Sequence, residues 1–122
     1  MRVLIADDNA AIRRGIAILL AGLNNCHVCG EAADSDETVR KAQDLRPDIV
    51  LLDVSMPGAS GLDTTRTLRQ QVPDSKVLII SQHDVAQLLP ASLEAGAVGC
   101  VDKARVGTDL LPAIQKMFPR PS

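Results

Sequence analysis

The stretch from Asp48 to Gly61, Asp-Ile-Val-Leu-Leu-Asp-Val-Ser-Met-Pro-Gly-Ala-Ser-Gly, constrains this chain more than any other. Its four apolar residues, Ile49 to Leu52, make a run too short for a helix and without polar alternation. That is the pattern of a strand covered on both faces, as parallel strands are. The run ends on Asp53, and in open α/β sheets ligands bind outside the carboxyl ends of the strands. Pro57, Gly58 and Gly61 then break the chain into a loop, and Ser60 is placed to cap a following helix with Asp63 three residues on. Taken alone, Asp53 reads equally well as a residue that starts or caps a loop.

The rest of the chain repeats this plan. Val3 to Ala6 is a short apolar run closed by Asp7-Asp8, and Asn9 is a helix cap. Ile12, Ile16, Leu19, Leu20 and Leu23 follow at helical spacing, with Arg13 and Arg14 off that face. Gly22, Asn24 and Asn25 end this helix. His27 to Ala33 reads as a less apolar strand, as at a sheet edge. Asp34 and Glu37 bracket the next helix start, Val39, Ala42 and Leu45 give that helix an apolar side, and Pro47 ends it. A third helix is expected over 62–72, with Leu62, Thr65, Leu68 and Val72 inward. Val77 to Ile80 is a fully apolar strand with Ser81 at its tip. A fourth helix over 85–95 closes at Gly96. Val98 to Val101 is the last strand, ending at Asp102-Lys103. The final helix starts at Thr108 or a neighbour, with Leu111, Ile114 and Met117 or Phe118 inward.

Strand–helix units repeated five times call for a doubly wound parallel sheet with helices on both faces. The flavodoxin-like order 2-1-3-4-5 fits best, because the third and fourth runs are the most apolar and the second the least. The domain is expected to span 1–118, with 119–122 a tail or the start of an interdomain linker. The 122 residues suffice for one core. A net charge of −2 gives no bulk attraction to nucleic acid, and with Phe118 the only aromatic residue, stacking on bases is not available. No apolar run approaches membrane-spanning length. Four apolar residues followed by acid do not make a secretory signal, and with three cysteines the expected location is the cytoplasm.

In this fold the strand tips deliver Asp7, Asp8, Asp53, Ser81 and Lys103 to one sheet edge. Like charges about 4 Å apart cost on the order of 4 kcal/mol at an effective dielectric near 20. A positive partner is therefore required. A hard divalent cation bound through carboxylate oxygen suits, and Mg²⁺ takes one or two carboxylates, keeps waters and binds phosphate oxygen. Lys103 supplies a second positive point. The same set suits phosphoryl transfer to a carboxylate, with the cation and the lysine neutralising the transferring oxygens and Ser81 donating to the attached group. Asp7-Asp8 alone would also read as caps.

These residues, in this order, resemble the receiver domain of two-component response regulators over essentially the whole chain. The matching features are Asp7-Asp8, Asp53 followed by Met56-Pro57 and Gly61, Ser81, and Gly96-Ala97 followed by Lys103. The resemblance implies that Asp53 is the phosphoacceptor. It implies that Asp8, Asp53 and the backbone carbonyl of Ser55 bind Mg²⁺, with Asp7 assisting in part through water. Ser81 would be the switch hydroxyl and Lys103 the phosphate partner. The stretches Met56 to Leu62 and Ser81-Gln82-His83-Asp84 are most similar to the NarL/FixJ subgroup, whose members usually carry a DNA-binding helix-turn-helix domain that is not in this chain. The partner implied is a sensor histidine kinase; a homodimer is left open, DNA would be reached only through an output domain, and no membrane contact is expected. Such a domain assists its own phosphorylation without being a classical enzyme.

The chain departs from that pattern at several points. Cys100 stands where the family commonly has a ring that moves on activation, so the usual coupling to the switch hydroxyl cannot operate in that form. Ala104 follows the lysine, where proline after a cis bond is common; a cis bond before a non-proline residue costs about 3 kcal/mol, which leaves a trans bond or a strained loop. Gln82, after the switch hydroxyl, is long enough to narrow access to Asp53. Pro90 implies a fourth helix that starts near it or kinks there. Pro112 falls in the first turn of the fifth helix or just beyond. Cys26-His27-Val28-Cys29 contains a Cys-x-x-Cys, but residues three apart on a strand face opposite ways, which favours separate buried or edge cysteines. His83 lies near the site mouth, either a solvated loop residue or one that tunes phosphoryl hydrolysis. Two other functions compete with this one. A phosphate-independent interaction module is favoured modestly by Gln82, Cys100 and Ala104. A haloacid-dehalogenase-like phosphohydrolase would want an acid at Ser55 and more chain for a substrate cap.

Overall fold

The computed structural model describes residues 1–82 and 84–117. Each apolar run is a strand: β1 (Arg2–Ala6), β2 (His27–Ala32), β3 (Ile49–Asp53), β4 (Lys76–Ser81) and β5 (Gly99–Asp102). Between and after them run α1 (Ala10–Leu20), α2 (Ser35–Leu45), α3 (Gly61–Gln71), α4 (Val85–Ala95) and α5 (Val106–Met117), the last preceded by a 3-10 turn at Lys103–Arg105. The sheet is parallel throughout, in the order β2-β1-β3-β4-β5. This is the flavodoxin-like arrangement expected from the sequence. The polar strand β2 is at one edge and β3 at the centre.

The period of two along each strand divides the core into two layers. Val3, Ile5, Ile49, Leu51, Leu78 and Ile80 meet Ile16 and Leu20 of α1 and Leu110 and Ile114 of α5. Leu4, Ala6, Val50, Leu52, Val77 and Ile79 meet Ala42 of α2 and Leu68 of α3 on the other face. All five residues of β3 are buried, so the strand that carries Asp53 is clamped from both sides. Each such Leu or Ile contributes about 1.5–3 kcal/mol of apolar burial.

The helix starts are set by side-chain caps. Asn9 Oδ1 accepts from Ala11 N and Ile12 N, and Ser60 Oγ accepts from Asp63 N. Asp34 accepts from Glu37 N while Glu37 returns its carboxylate to Ala33 N, a pairing like a capping box but with the return bond one residue before the cap. The Ala33 amide thereby holds the Glu37 carboxyl below its usual range.

Four expectations need correction. Helix α4 does not start near Pro90; it runs from Val85 to Ala95 with Pro90 inside it. Asp84 caps its first turn and Gly96 its last, Ser92 and Ala95 are buried against the fold, and Pro90 lies on the exposed face, so packing and caps carry the helix past the missing N–H. Helix α5 begins two residues before Thr108, which puts Pro112 in its second turn. Its innermost residues are Leu110 and Ile114, while Leu111 is half-buried, because the sheet selects one of two overlapping apolar stripes. Cys29 is the extra residue of a bulge, since Val3 pairs with Val28 and Leu4 with Gly30, and Cys26 precedes β2. Strict alternation therefore does not govern the pair, although both thiols are free and half-buried. Burial raises the pKa of each.

The peptide bonds of the described residues are all trans, which answers the question at Lys103-Ala104. The described residues contain no helix long and apolar enough to cross a membrane. His83, Phe118 and the tail at 119–122 lie outside the described residues.

An alanine at position 90 would restore the hydrogen bond to the Ala86 carbonyl. Pro90→Ala is expected to raise stability by about 1–2 kcal/mol, the helix gain less the added freedom of the unfolded chain. Urea unfolding reads this directly; an unchanged midpoint would show that α4 loses nothing at Pro90.

Candidate functional site

The parallel topology brings the carboxyl ends of β1, β3, β4 and β5 to one edge. Asp7 follows β1 and is 1% exposed; Asp53 is the last residue of β3 and is also 1% exposed. Asp8 is exposed beside them. Carboxylate oxygens of Asp7, Asp8 and Asp53 lie within 4.8 Å of one another. Lys103, the first residue of the 3-10 turn after β5, reaches across to this cluster. Its Nζ is 2.8 Å from Asp7 Oδ2 and 3.1 Å from Asp53 Oδ2, with its side chain only 8% exposed.

The two contacts differ in kind. Lys103 donates a directed hydrogen bond to Asp53. Asp7 Oδ2 is fully buried and has no aligned donor, so at 2.8 Å its attraction to Lys103 is that of an ion pair with an oxygen lone pair left over. Asp7 Oδ1 accepts from Asn9 N, and Asp53 Oδ1 accepts from Ser55 N at 3.1 Å. Burial by itself would lower the pKa of Lys103. The close contacts with Asp7 and Asp53 and their negative charges outweigh that effect, and the net direction is upward.

Ser81 ends β4 and is fully buried. It is paired with Asp102 of β5, and β4 places Ile80 opposite Asp53. Ser55 is exposed in the loop after β3. All the strand-tip residues named from the sequence therefore share this edge. Gln82, Ile12, Asp102, Lys103 and Ala104 line an open cleft of about 370 Å³ over Lys103, so the long Gln82 side chain stands on the rim of the site. Cys100 is half-buried against the layer beneath α4. Burial raises its thiol pKa, and a hydrogen bond with Ser92 works the other way.

Two further residues hold the loops that carry the acids. Arg13 donates from Nη1 to the Asp7 carbonyl at 2.5 Å and from Nε to Glu31 at 2.8 Å. Ser35, buried at the start of α2, accepts from Ala59 N at 2.8 Å and donates through Oγ to the Pro57 carbonyl at 3.3 Å. This latch fixes the loop after Asp53 and explains Gly58, which has φ of +99° and where a Cβ would lie 2.1 Å from Ser35 Oγ. Gly61 is required for a different reason: a Cβ there would meet the Val54 Cα at 2.6 Å. The sequence places Arg13 off the apolar face of α1 but assigns neither it nor Ser35 a role at the site. Arg13 had one legible sign, a cation in the first turns of a helix, where the dipole disfavours it.

Residues 3–115 match the family model described as the response regulator receiver domain. The chain belongs to the response regulator receiver family. This receiver domain is 37% identical over 118 residues to the response regulator GacA of Pseudomonas viridiflava. It is 36% identical over 119 residues to the oxygen regulatory protein NreC of Staphylococcus aureus. In both cases 97% of this chain is matched to 55% of the relative, so the chain spans about half the length of the curated relatives it matches. Among solved structures, a LuxR-family response regulator from Aurantimonas superposes with a TM-score of 0.90 at 32% identity, over 96% of this chain and 84% of that one. The signal receiver domain of the putative response regulator NarL from Mycobacterium tuberculosis superposes with a TM-score of 0.88 at 30% identity, over 98% and 97%. These relatives agree with the NarL/FixJ character of the loop sequences. The family is one of signalling domains with a phosphoacceptor role in two-component systems, not a classical enzyme family.

The raised pKa of Lys103 fixes the sign of a pH effect. A cation favoured in the folded state stabilises fully below its unfolded pKa, near 10.5, and that contribution fades as pH rises through the higher folded value. Lys103→Met leaves buried carboxylates uncompensated and is expected to cost about 3 kcal/mol in Mg²⁺-free buffer. Urea melts across pH should show a constant difference between the two proteins from pH 7 to about 10, shrinking above it. A difference that grows in that alkaline range would contradict the assignment.

Proposed function

We propose that Asp53 of this receiver accepts a phosphoryl group from the phosphohistidine of a sensor kinase. The observation that carries this reading is the placement of Asp7, Asp8 and Asp53 at one sheet edge with Lys103 bridging two of them. In the reaction the P–N bond of the phosphohistidine breaks, a P–O bond to the Asp53 carboxylate forms, and the released imidazole nitrogen takes up a proton. Lys103 already touches Asp53 Oδ2 and is in place to neutralise an oxygen of the transferred group. Ser81 is the switch hydroxyl in this reading.

The donor set suits a hard cation. It is all oxygen, three carboxylates with a backbone carbonyl beside them, and it includes the buried Asp7 oxygen without an aligned donor. Asp8, Asp53 and the Ser55 carbonyl would hold Mg²⁺, with Asp7 assisting, in part through water. Bound there, Mg²⁺ would offset the charge of the carboxylates and of the phosphoryl oxygens. The phosphate-independent alternative is not favoured, because the acids and the lysine are all in position.

The output extends beyond this chain. Relatives include the transcriptional activator protein ExaE of Pseudomonas putida and the response regulator RcsB, which has been solved bound to a promoter. With the relatives nearly twice as long as this chain, this supports control of a DNA-binding helix-turn-helix domain joined near residues 119–122, in the cytoplasm. A homodimer fits the same scheme.

Intact mass after incubation with Mg²⁺ and acetyl phosphate is the direct test. A single phosphoryl adduct is expected on the wild type, and none on Asp53→Asn or after chelation of Mg²⁺. An adduct that persists on Asp53→Asn would move the acceptor elsewhere, and a wild type left unlabelled by both acetyl phosphate and the cognate kinase would overturn the reading.

A further inference from the structure

Asp7 and Asp8 sit on a short connection between β1 and α1, and what holds that connection decides where their carboxylates point. The Asp7 backbone is gripped on both sides. Its N–H donates to the Ala32 carbonyl of β2 at 2.9 Å, and its C=O accepts from Arg13 Nη1 at 2.5 Å. Arg13 in turn is anchored through Nε to Glu31 of β2, also at 2.8 Å as an ion pair, with its own side chain 18% exposed. The planar guanidinium thus spans two acceptors, one on the β1–α1 connection and one on β2, with two of its fixed N–H vectors. The Arg13 backbone amide bonds to Asn9 O, in the first turn of α1.

We infer that Arg13 is a positioning residue of the metal pocket: braced by Glu31, it fixes the Asp7-Asp8 backbone so that the acidic side chains are pre-set to receive Mg²⁺. This rests on the Mg²⁺ site proposed above. The rival explanation for an arginine at this place is charge compensation, in which the guanidinium merely offsets the carboxylates. The two roles have opposite signs. Removing a nearby cation relieves repulsion of Mg²⁺, so a charge role predicts tighter binding when Arg13 is lost. Removing a brace lets the ligands move, so a positioning role predicts weaker binding. Lysine separates them again, because it keeps the charge but cannot span Asp7 and Glu31 as a fork.

The experiment is calorimetric titration of the whole chain with Mg²⁺ alone, for the wild type, Arg13→Ala, Arg13→Lys and Glu31→Ala. Unfolding midpoints taken in chelator verify that each variant is folded. Loss of an outer partner of a metal ligand typically weakens affinity about tenfold or more. A loss of about that size is expected for Arg13→Ala and for Arg13→Lys alike, with a smaller one for Glu31→Ala. In labelling by acetyl phosphate the same variants should need more Mg²⁺ for half-maximal rate, with the rate at saturating Mg²⁺ largely kept. Should Arg13→Ala fail to fold, Arg13→Lys and Glu31→Ala decide the outcome. Wild-type binding with equal or tighter binding by the variants overturns the inference alone, as does full rescue by lysine. A wild type that takes up no Mg²⁺ overturns the metal site and the inference together.

Discussion

The contact of Lys103 with Asp7 and Asp53 is the interaction on which the rest of the site depends. Two buried carboxylates at the tips of adjacent strands repel each other, and the parallel sheet gives them no way to separate. The lysine comes from the far side of the sheet, beyond β4, and its pKa rises because the two acids outweigh the burial that would depress it. The fold thus places a cation among the acids, and Asp7 keeps a buried oxygen without an aligned donor beside it.

Around this contact the loops are fixed one by one. Arg13 holds the carbonyl of Asp7, Ser35 latches the loop after Asp53, and Asp102 caps the turn that carries Lys103 through Ala104 N at 2.9 Å. Each is a side chain bonded to backbone, which is how a loop gains rigidity without a core of its own. Phosphoryl transfer draws most of its acceleration from positioning and electrostatics, so in the proposed function these braces would matter as the acids do. The face formed by α4, β5 and α5 is built differently. Helix α4 is attached through few buried residues and contains Pro90, and Cys100 is small where a ring is common in the family. If Asp53 is the phosphoacceptor proposed above, its signal crosses this face by other contacts than a swinging aromatic side chain.

Most of the fold was legible because its signals are local. Unbroken apolar runs of four residues mean strands covered on both faces, and Asn9, Asp34 and Ser60 announce the helices that follow. The site residues were legible for a related reason: each stands immediately after such a run, so naming the strands named the strand tips. The apolar spacing and Gly96 gave α4 its bounds of 85–95, and the expectation of a start near Pro90 failed because helix propensity is weak against caps and packing. Leu111 misled because two apolar stripes overlap along α5, and only the sheet surface chooses between them. The bulge at Cys29 left no mark in the sequence, since it arises from how β1 and β2 pair.

By itself, then, the sequence determined the order and type of the elements, the two-sided burial of β3, and the identity of the acids, the serine and the lysine at the sheet edge. Their chemistry follows from residue type and from position relative to apolar runs, both of which are written in one dimension. Tertiary structure alone decided that Lys103 touches both Asp7 and Asp53, that Arg13 reaches back to Asp7 while anchored on Glu31, and that Ser35 fills the space over Gly58. These contacts join residues from 6 to 96 positions apart in the chain. No local pattern encodes them, because the strands and helices must be packed before the side chains come within reach.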